Sequence, residues 1–116
     1  MNTQIDLRGA SGAFYRFRLD NPARPANAAG GVFVFVREDQ AELEVIYAGE
    51  TDSLARAEFG RWAEAVDRYG AVHLFTRLHV CSAGRGQELE DLVGALKPAM
   101  NEGPESELRT FAEYTA

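Results

Sequence analysis

Residues 31–36 read GVFVFV, and this stretch decides the fold because it has the composition of a strand buried on both faces. β-Branched and aromatic residues fill it, and turn-forming residues stand before and after it. Residues 37–41 are a polar turn, and residues 42–48 return to strand character, which together predict a β-hairpin. We therefore expect a fold in which both sides of a central strand are covered.

A different strand pattern occupies residues 13–19, where apolar and charged side chains alternate. Tyr15, Phe17 and Leu19 share one face, and Arg16 and Arg18 share the other. Alternation with a period of two predicts a half-buried strand near the edge of a sheet. Residues 20–31 combine proline, asparagine and glycine, which predicts a loop between this strand and the central one.

Helical spacing of apolar residues begins after the hairpin. A helix is expected over residues 52–69, with Thr51 or Asp52 as its N-cap and Gly70 as the residue that ends it. The remaining predicted segments are a strand at residues 71–80, a loop at residues 82–86, a helix at residues 87–96 that Pro98 ends, and a short helix at residues 105–114.

These elements predict a small layered α+β domain with a central antiparallel or mixed sheet flanked by helices. Its length of 116 residues favours a single domain over residues 1–116. We place the core at residues 30–102 and treat the strand at residues 13–19 and the helix at residues 105–114 as additions to it.

Charge and cysteine content limit the classes of function. The formal net charge is -6, which opposes binding to nucleic acid except through a local basic patch. Cys81 is the single cysteine, so no internal disulfide can form and a reducing compartment is favoured. We find neither a signal peptide nor an apolar run of membrane-spanning length, and we expect a cytoplasmic protein without membrane partners.

Several common kinds of site are poorly supported. His73 and His79 stand six residues apart in one predicted strand, roughly 20 Å along it, so they cannot share one metal ion. The chain has no Gly-x-Ser-x-Gly nucleophile motif. The loop at residues 82–86 has two glycines but lacks the Lys-Ser/Thr ending of a phosphate-binding loop.

Three motifs, taken together, resemble the GIY-YIG nuclease superfamily and in particular its small bacterial members. They are Gly-Val-Phe at residues 31–33, Tyr-Ala-Gly at residues 47–49, and the stretch at residues 92–101 with a Leu-Val pair and Pro-x-x-Asn. The resemblance covers residues 30–102. It implies phosphodiester hydrolysis in which a Tyr helps to activate water, a helical Arg stabilises the phosphate, and a helical Glu holds a divalent metal ion.

Several positions depart from the catalytic pattern that this resemblance implies. The first tyrosine is replaced by Phe33, the helical Arg by Ala57 and the metal-binding Glu by Leu89. Tyr47 and Gly49 are kept, and so is Asn101 of the closing motif. Because apolar residues replace three inward-facing polar groups, the first hypothesis is a domain that has lost nuclease activity and needs no cofactor.

Under this first hypothesis the chain binds nucleic acid or protein; the choice of partner and the oligomeric state stay open. A narrow patch that combines Arg56, Arg61 and Arg85 is a candidate for binding phosphate.

The alternative is a metal-dependent DNA endonuclease with a shifted site. Tyr47 would assist the water, Arg56 would bind phosphate, and Glu88 or Glu90 would hold Mg²⁺ or Mn²⁺. Arg56 and Glu88 each stand one residue before the expected position, which rotates a helical side chain by about 100°. The two hypotheses differ in whether the arginine and the carboxylate converge on Tyr47.

Overall fold

The computed structural model describes residues 3–24, 28–56 and 59–101, and it contains one antiparallel sheet of five strands. The strands are β1 (Gln4–Arg8), β2 (Phe14–Asp20), β3 (Gly31–Asp39), β4 (Glu42–Thr51) and β5 (His73–Leu78). They lie in the order β1-β2-β5-β3-β4, and every neighbouring pair is antiparallel. The helical segments are a 3-10 turn (Leu54–Arg56), α1 (Trp62–Tyr69) and α2 (Ser82–Leu96).

The predicted double burial of the central strand is confirmed. Phe33 and Phe35 of β3 pack into a cluster on the α1 side of the sheet, whereas Val32, Val34 and Val36 pack into a second cluster on the α2 side. The sheet is therefore the middle layer between two helical layers, which confirms the predicted α+β class.

The β3–β4 hairpin is also as predicted, but its pairing contains an irregularity that matters for the site. Phe35 lies opposite Tyr47, and the next residue, Val36, lies opposite Val45, so Ile46 is the extra residue of a β-bulge. Because of this bulge, both Ile46 and Tyr47 face the α1 side, and Val45 faces the α2 side.

The long helix predicted over residues 52–69 is wrong. A 3-10 turn covers Leu54–Arg56, and α1 begins only at Trp62. Phe59 explains the interruption, because its side chain is buried in the α1-side cluster and its backbone has a φ of 42°. That left-handed conformation does not occur within an α-helix. The predicted end at Gly70 is confirmed, with φ 73°.

The loop predicted at residues 82–86 is also wrong, because α2 starts at Ser82 and includes both glycines of that stretch. A Cβ at Gly84 would collide with the imidazole ring of His79, so the glycine allows that ring to lie directly against α2. The end of α2 near Pro98 is as expected: Lys97, with φ 44°, follows its last residue.

One strand was missed, and two further expectations concern the second half of the chain. The strand β1 was not predicted, and it pairs with β2 along the side where we expected a sheet edge. The strand predicted at residues 71–80 is shorter and runs over His73–Leu78. The helix predicted at residues 105–114 lies outside the described residues.

The β1–β2 hairpin is fastened to α2 through Asp91. Its carboxylate accepts hydrogen bonds from the backbone N–H of Ser11 (2.8 Å), the hydroxyl of Ser11 (2.7 Å) and the hydroxyl of Tyr15 (2.7 Å). The Ser11 hydroxyl, followed by that of Tyr15, lowers the pKa of Asp91 because these bonds favour the charged carboxylate. The hairpin is therefore held most tightly when Asp91 is ionised.

We predict that Gly31→Ala destabilises the fold. A Cβ at Gly31 would collide with the carbonyl oxygen of Arg77 in β5 and lie 2.9 Å from Cδ1 of Leu54, and a backbone atom cannot move aside cheaply. We expect a loss of about 3 kcal/mol in the free energy of unfolding, measured by urea denaturation. Gly60→Ala is the matched control, since no atom of the described residues lies within 4 Å of its Cβ position; equal effects at both sites would contradict the packing described here.

We also predict that the contribution of Asp91 depends on pH. A carboxyl whose pKa is lowered in the folded state stabilises that state above its unfolded pKa, and this stabilisation is lost as the pH falls through the folded value. The difference in urea midpoint between the wild type and Asp91→Asn should thus be largest near neutral pH and shrink below about pH 4. A difference that is independent of pH would show that the charge of Asp91 is not involved.

Candidate functional site

Tyr47 is the centre of a polar and aromatic group on the α1 side of the sheet. Its ring lies 5.2 Å from that of Phe35 and 6.0 Å from that of Phe33, measured between centroids. The guanidinium of Arg61, just before α1, lies 5.2 Å from the centre of the Tyr47 ring, which is a cation–π arrangement. Among the described residues, none forms a hydrogen bond with the Tyr47 hydroxyl.

Arg61 is held in place by two further contacts. Its Nε and Nη2 donate to one carboxylate oxygen of Glu64 at 3.1 and 3.0 Å, and its Nη1 donates to the backbone carbonyl of Met100 at 3.3 Å. A tyrosine, an arginine and a helical carboxylate therefore meet on this face. Glu64 is not among the candidate residues of the sequence analysis, although its spacing of three from Arg61 would have indicated an ion pair on a helix.

The two motif strands place Gly49 directly opposite Phe33. A Cβ at Gly49 would lie 2.7 Å from Cζ of Phe33 and 3.1 Å from Cε2 of Tyr47. The glycine of the Tyr-Ala-Gly motif is thus explained by packing, because the two rings close over it. Phe33 is itself buried and supplies no hydroxyl to the group around Tyr47.

Asn101 satisfies the backbone of the edge strand β4. Its Oδ1 accepts from the backbone N–H of Ala48, and its Nδ2 donates to the carbonyl of the same residue, both at 2.7 Å. The side-chain amide thus makes the two hydrogen bonds that the backbone of a residue in a neighbouring strand would make. This pair of bonds ties the segment after Pro98 to the strand that carries Tyr47.

Glu88 and Leu89 lie on the opposite side of the sheet from Tyr47. Leu89 packs into the α2-side cluster, as its apolar spacing indicated. The side chain of Glu88 is only 11% exposed, and its carboxylate accepts hydrogen bonds from Nε and Nη2 of Arg77 at 3.1–3.3 Å. One carboxylate oxygen also lies 3.7 Å from Nε2 of His79. The predicted trio of Tyr47, Arg56 and Glu88 is not brought together, because the sheet separates its tyrosine from its carboxylate.

The predicted arginine patch is not assembled either. Arg85 is 2% exposed, and its guanidinium donates to the carbonyls of His79 and Val80 and to the carboxylate of Asp52. It belongs to α2, in the layer opposite Arg61. The backbone of Arg56 ends the 3-10 turn, its side chain is outside the described part of the chain, and so is Ala57.

Candidate metal ligands are dispersed in the described part of the chain. Within residues 3–24, 28–56 and 59–101, no group of three or more His, Cys, Asp or Glu side chains has the arrangement of a metal site. Glu90 is exposed on α2, and Glu88 is occupied by Arg77. None of the described helices is long and apolar enough to span a membrane.

Comparison with protein-family models, with curated proteins and with solved structures gave no match in any of the three.

We predict that the amide of Asn101 stabilises the fold through both of its bonds. Asn101→Ala leaves the buried N–H and carbonyl of Ala48 without their partner, and we expect a loss of about 2–3 kcal/mol in urea unfolding. Asn101→Asp keeps the acceptor but sets a carboxylate against the carbonyl, so it should not restore stability. Glu90→Ala, at an exposed position of α2, is the control; Asn101→Ala unfolding at the same urea concentration as this control would contradict the assignment.

Proposed function

We propose that this chain is a binding domain with a GIY-YIG-like layout that has lost the nuclease chemistry. The observation that carries the proposal is the separation of Tyr47 from Glu88 by the sheet. A nucleophilic water and the group that activates it must come within hydrogen-bonding reach of one phosphate. Side chains on opposite faces of a continuous sheet cannot do this together.

The state of the individual groups supports the same proposal. Glu88 is neutralised by the guanidinium of Arg77 and is nearly buried, so it is a poor ligand for a further cation. Phe33 offers a ring without a hydroxyl at the position where the resemblance implies a tyrosine. The hydroxyl implied at Phe33 is thus absent, and the carboxylate of Glu88 is paired with Arg77 on the face of the sheet opposite Tyr47.

The layout itself is supported by how the motif residues pair. Phe33 and Gly49 are direct neighbours across the β3–β4 hairpin, and Asn101 joins the closing segment to Ala48 in the second motif strand. Each of these motif residues therefore has a packing or hydrogen-bonding role that does not depend on catalysis. This supports the proposal of a domain that keeps the GIY-YIG-like layout without the nuclease activity.

A metal-dependent endonuclease is the second candidate, and one observation favours it. Arg61 lies over the Tyr47 ring, and Glu64 lies within hydrogen-bonding distance of Arg61, so an arginine and a helical carboxylate do converge on Tyr47. In such an enzyme Arg61 would bind phosphate in place of Arg56. In the present geometry, however, Arg61 and Glu64 neutralise one another rather than facing an open site.

Cleavage assays separate the two candidates. Purified wild type, Tyr47→Phe, Glu64→Gln and Glu88→Gln are incubated with supercoiled plasmid and with single-stranded DNA, each with Mg²⁺ or Mn²⁺. We expect nicking by all four proteins to equal that of a buffer blank. Tyr47→Phe is a mild change because no described residue hydrogen-bonds the hydroxyl.

Metal-dependent cleavage that Tyr47→Phe abolishes would overturn the proposal. In that case a parallel loss in Glu64→Gln would locate the enzyme's site on the α1 side, and a loss in Glu88→Gln would locate it on the α2 side.

A further inference from the structure

The half of the sheet formed by β1, β2 and the end of β5 is not covered on the α1 side by any other element of residues 3–24, 28–56 and 59–101. We call this surface the open face, and it consists of Gln4, Asp6, Arg8, Phe14, Arg16, Arg18 and Leu78, all of them exposed. The alternate residues of β1 and β2 point the other way and pack on the α2-side cluster. Helix α1 packs on β3 and β4, so it does not extend over the open face.

The open face is basic although the whole chain is acidic. Its three arginines outnumber Asp6 and the half-buried Asp20 at the end of β2, whereas the chain as a whole has a net charge of -6. Arg16 pairs with Asp6 at 3.0 Å, whereas Arg8 and Arg18 form no ion pair or hydrogen bond with any described residue. Arg18 lies between Gln4 on β1 and Thr76 on β5, which leaves its charge available to an anion.

An exposed aromatic ring lies among these cations. Phe14 is 66% exposed, and the guanidinium of Arg8 lies 5.9 Å from the centre of its ring. The two residues are direct cross-strand neighbours. An exposed ring beside arginines on a sheet is the arrangement on which unpaired bases stack while the phosphates meet the positive charges.

A hollow of about 440 Å³ adjoins this surface between Arg16, Arg18, Thr76 and Leu78. Its volume is within the range of pockets that bind small organic groups. Arg16 and Arg18 form its cationic side, and Leu78 forms its apolar side. At its end the hydroxyl of Thr76 donates a hydrogen bond to the carboxylate of Asp20 at 3.0 Å. A base or sugar next to one stacked on Phe14 therefore has a place to lie.

We propose that the open face binds single-stranded nucleic acid, with a base on Phe14 and phosphates on Arg8 and Arg18. Arg8 lies directly across from Phe14, and Arg18 stands four residues from Phe14 along β2, roughly 13 Å, so one extended strand of a few nucleotides can meet both arginines. A duplex keeps its bases stacked within itself and cannot use the ring of Phe14. This inference rests on the proposed binding role, but it concerns a surface outside the GIY-YIG-like core.

The test measures the affinity of the full chain for a fluorescein-labelled strand of about 15 thymidines by fluorescence anisotropy, as a function of salt. Arg18→Ala should weaken binding about fivefold or more and reduce the salt slope by about 0.7. Phe14→Leu keeps an apolar residue but removes the ring, so it should weaken binding about fivefold or more and leave the salt slope unchanged. Phe14→Trp should restore binding.

Arg37→Ala is the control for charge, because it removes the same charge from a partly exposed position outside the open face, where Arg37 is paired with Glu44. Unlabelled duplex, inorganic polyphosphate and poly-glutamate serve as competitors, and we expect each to compete at least tenfold less well than unlabelled single strand. Circular dichroism confirms that each variant is folded.

Four outcomes would overturn the inference: no binding in low salt, equal losses in Arg37→Ala and Arg18→Ala, competition by duplex, polyphosphate or poly-glutamate that matches the single strand, or open-face variants that bind as tightly as the wild type. If the wild type binds the strand but the open-face variants bind equally well, the surface is wrong and the proposed binding role survives. Cleavage that depends on Tyr47 would instead refute the proposed function, whatever the open face binds.

Discussion

Burial of the central strand β3 on both faces is the constraint on which the rest of the structure depends. Phe33 and Phe35 require a helical layer on one side, and Val32, Val34 and Val36 require another on the opposite side. Every polar group near the centre must then belong to one layer or the other. A single bulge at Ile46 assigns Tyr47 to the α1 layer, and pairing with Arg77 on β5 holds Glu88 in the α2 layer.

The position of α1 explains why, in the described part of the chain, only half of the sheet is covered on the α1 side. Helix α1 has eight residues, about 12 Å, and packs on β3 and β4 at one side of the five-stranded sheet. Helix α2 has 15 residues, about 22 Å, and contacts strands from β4 to β1. The β1–β2 hairpin is therefore packed on one face and exposed on the other, which makes its arginines and Phe14 available to a ligand.

Local periodicity was sufficient to predict the elements whose burial follows from their own sequence. The alternation of Tyr15, Phe17 and Leu19 and the apolar run of β3 both appear in the structure where they were expected. The predictions of a helix over residues 52–69 and of a loop at residues 82–86 were wrong because tertiary contacts are not visible in local periodicity. The buried, left-handed Phe59 interrupts a helical pattern, and the two glycines that predicted a loop lie within α2, where Gly84 leaves room for the ring of His79. The resemblance remains a prediction, and no relative was found that tests it.

The central claim is that the chain binds through the open face and not through the group around Tyr47. An NMR titration of the ¹⁵N-labelled protein with a short oligo-thymidine measures this directly, because each backbone amide reports its own surroundings. We expect the largest shift changes along β1 and β2, above all at Arg8, Phe14 and Arg18, with small changes at Tyr47. Shifts concentrated at Tyr47, Arg61 and Glu64 would contradict the account and point back to the nuclease-like centre.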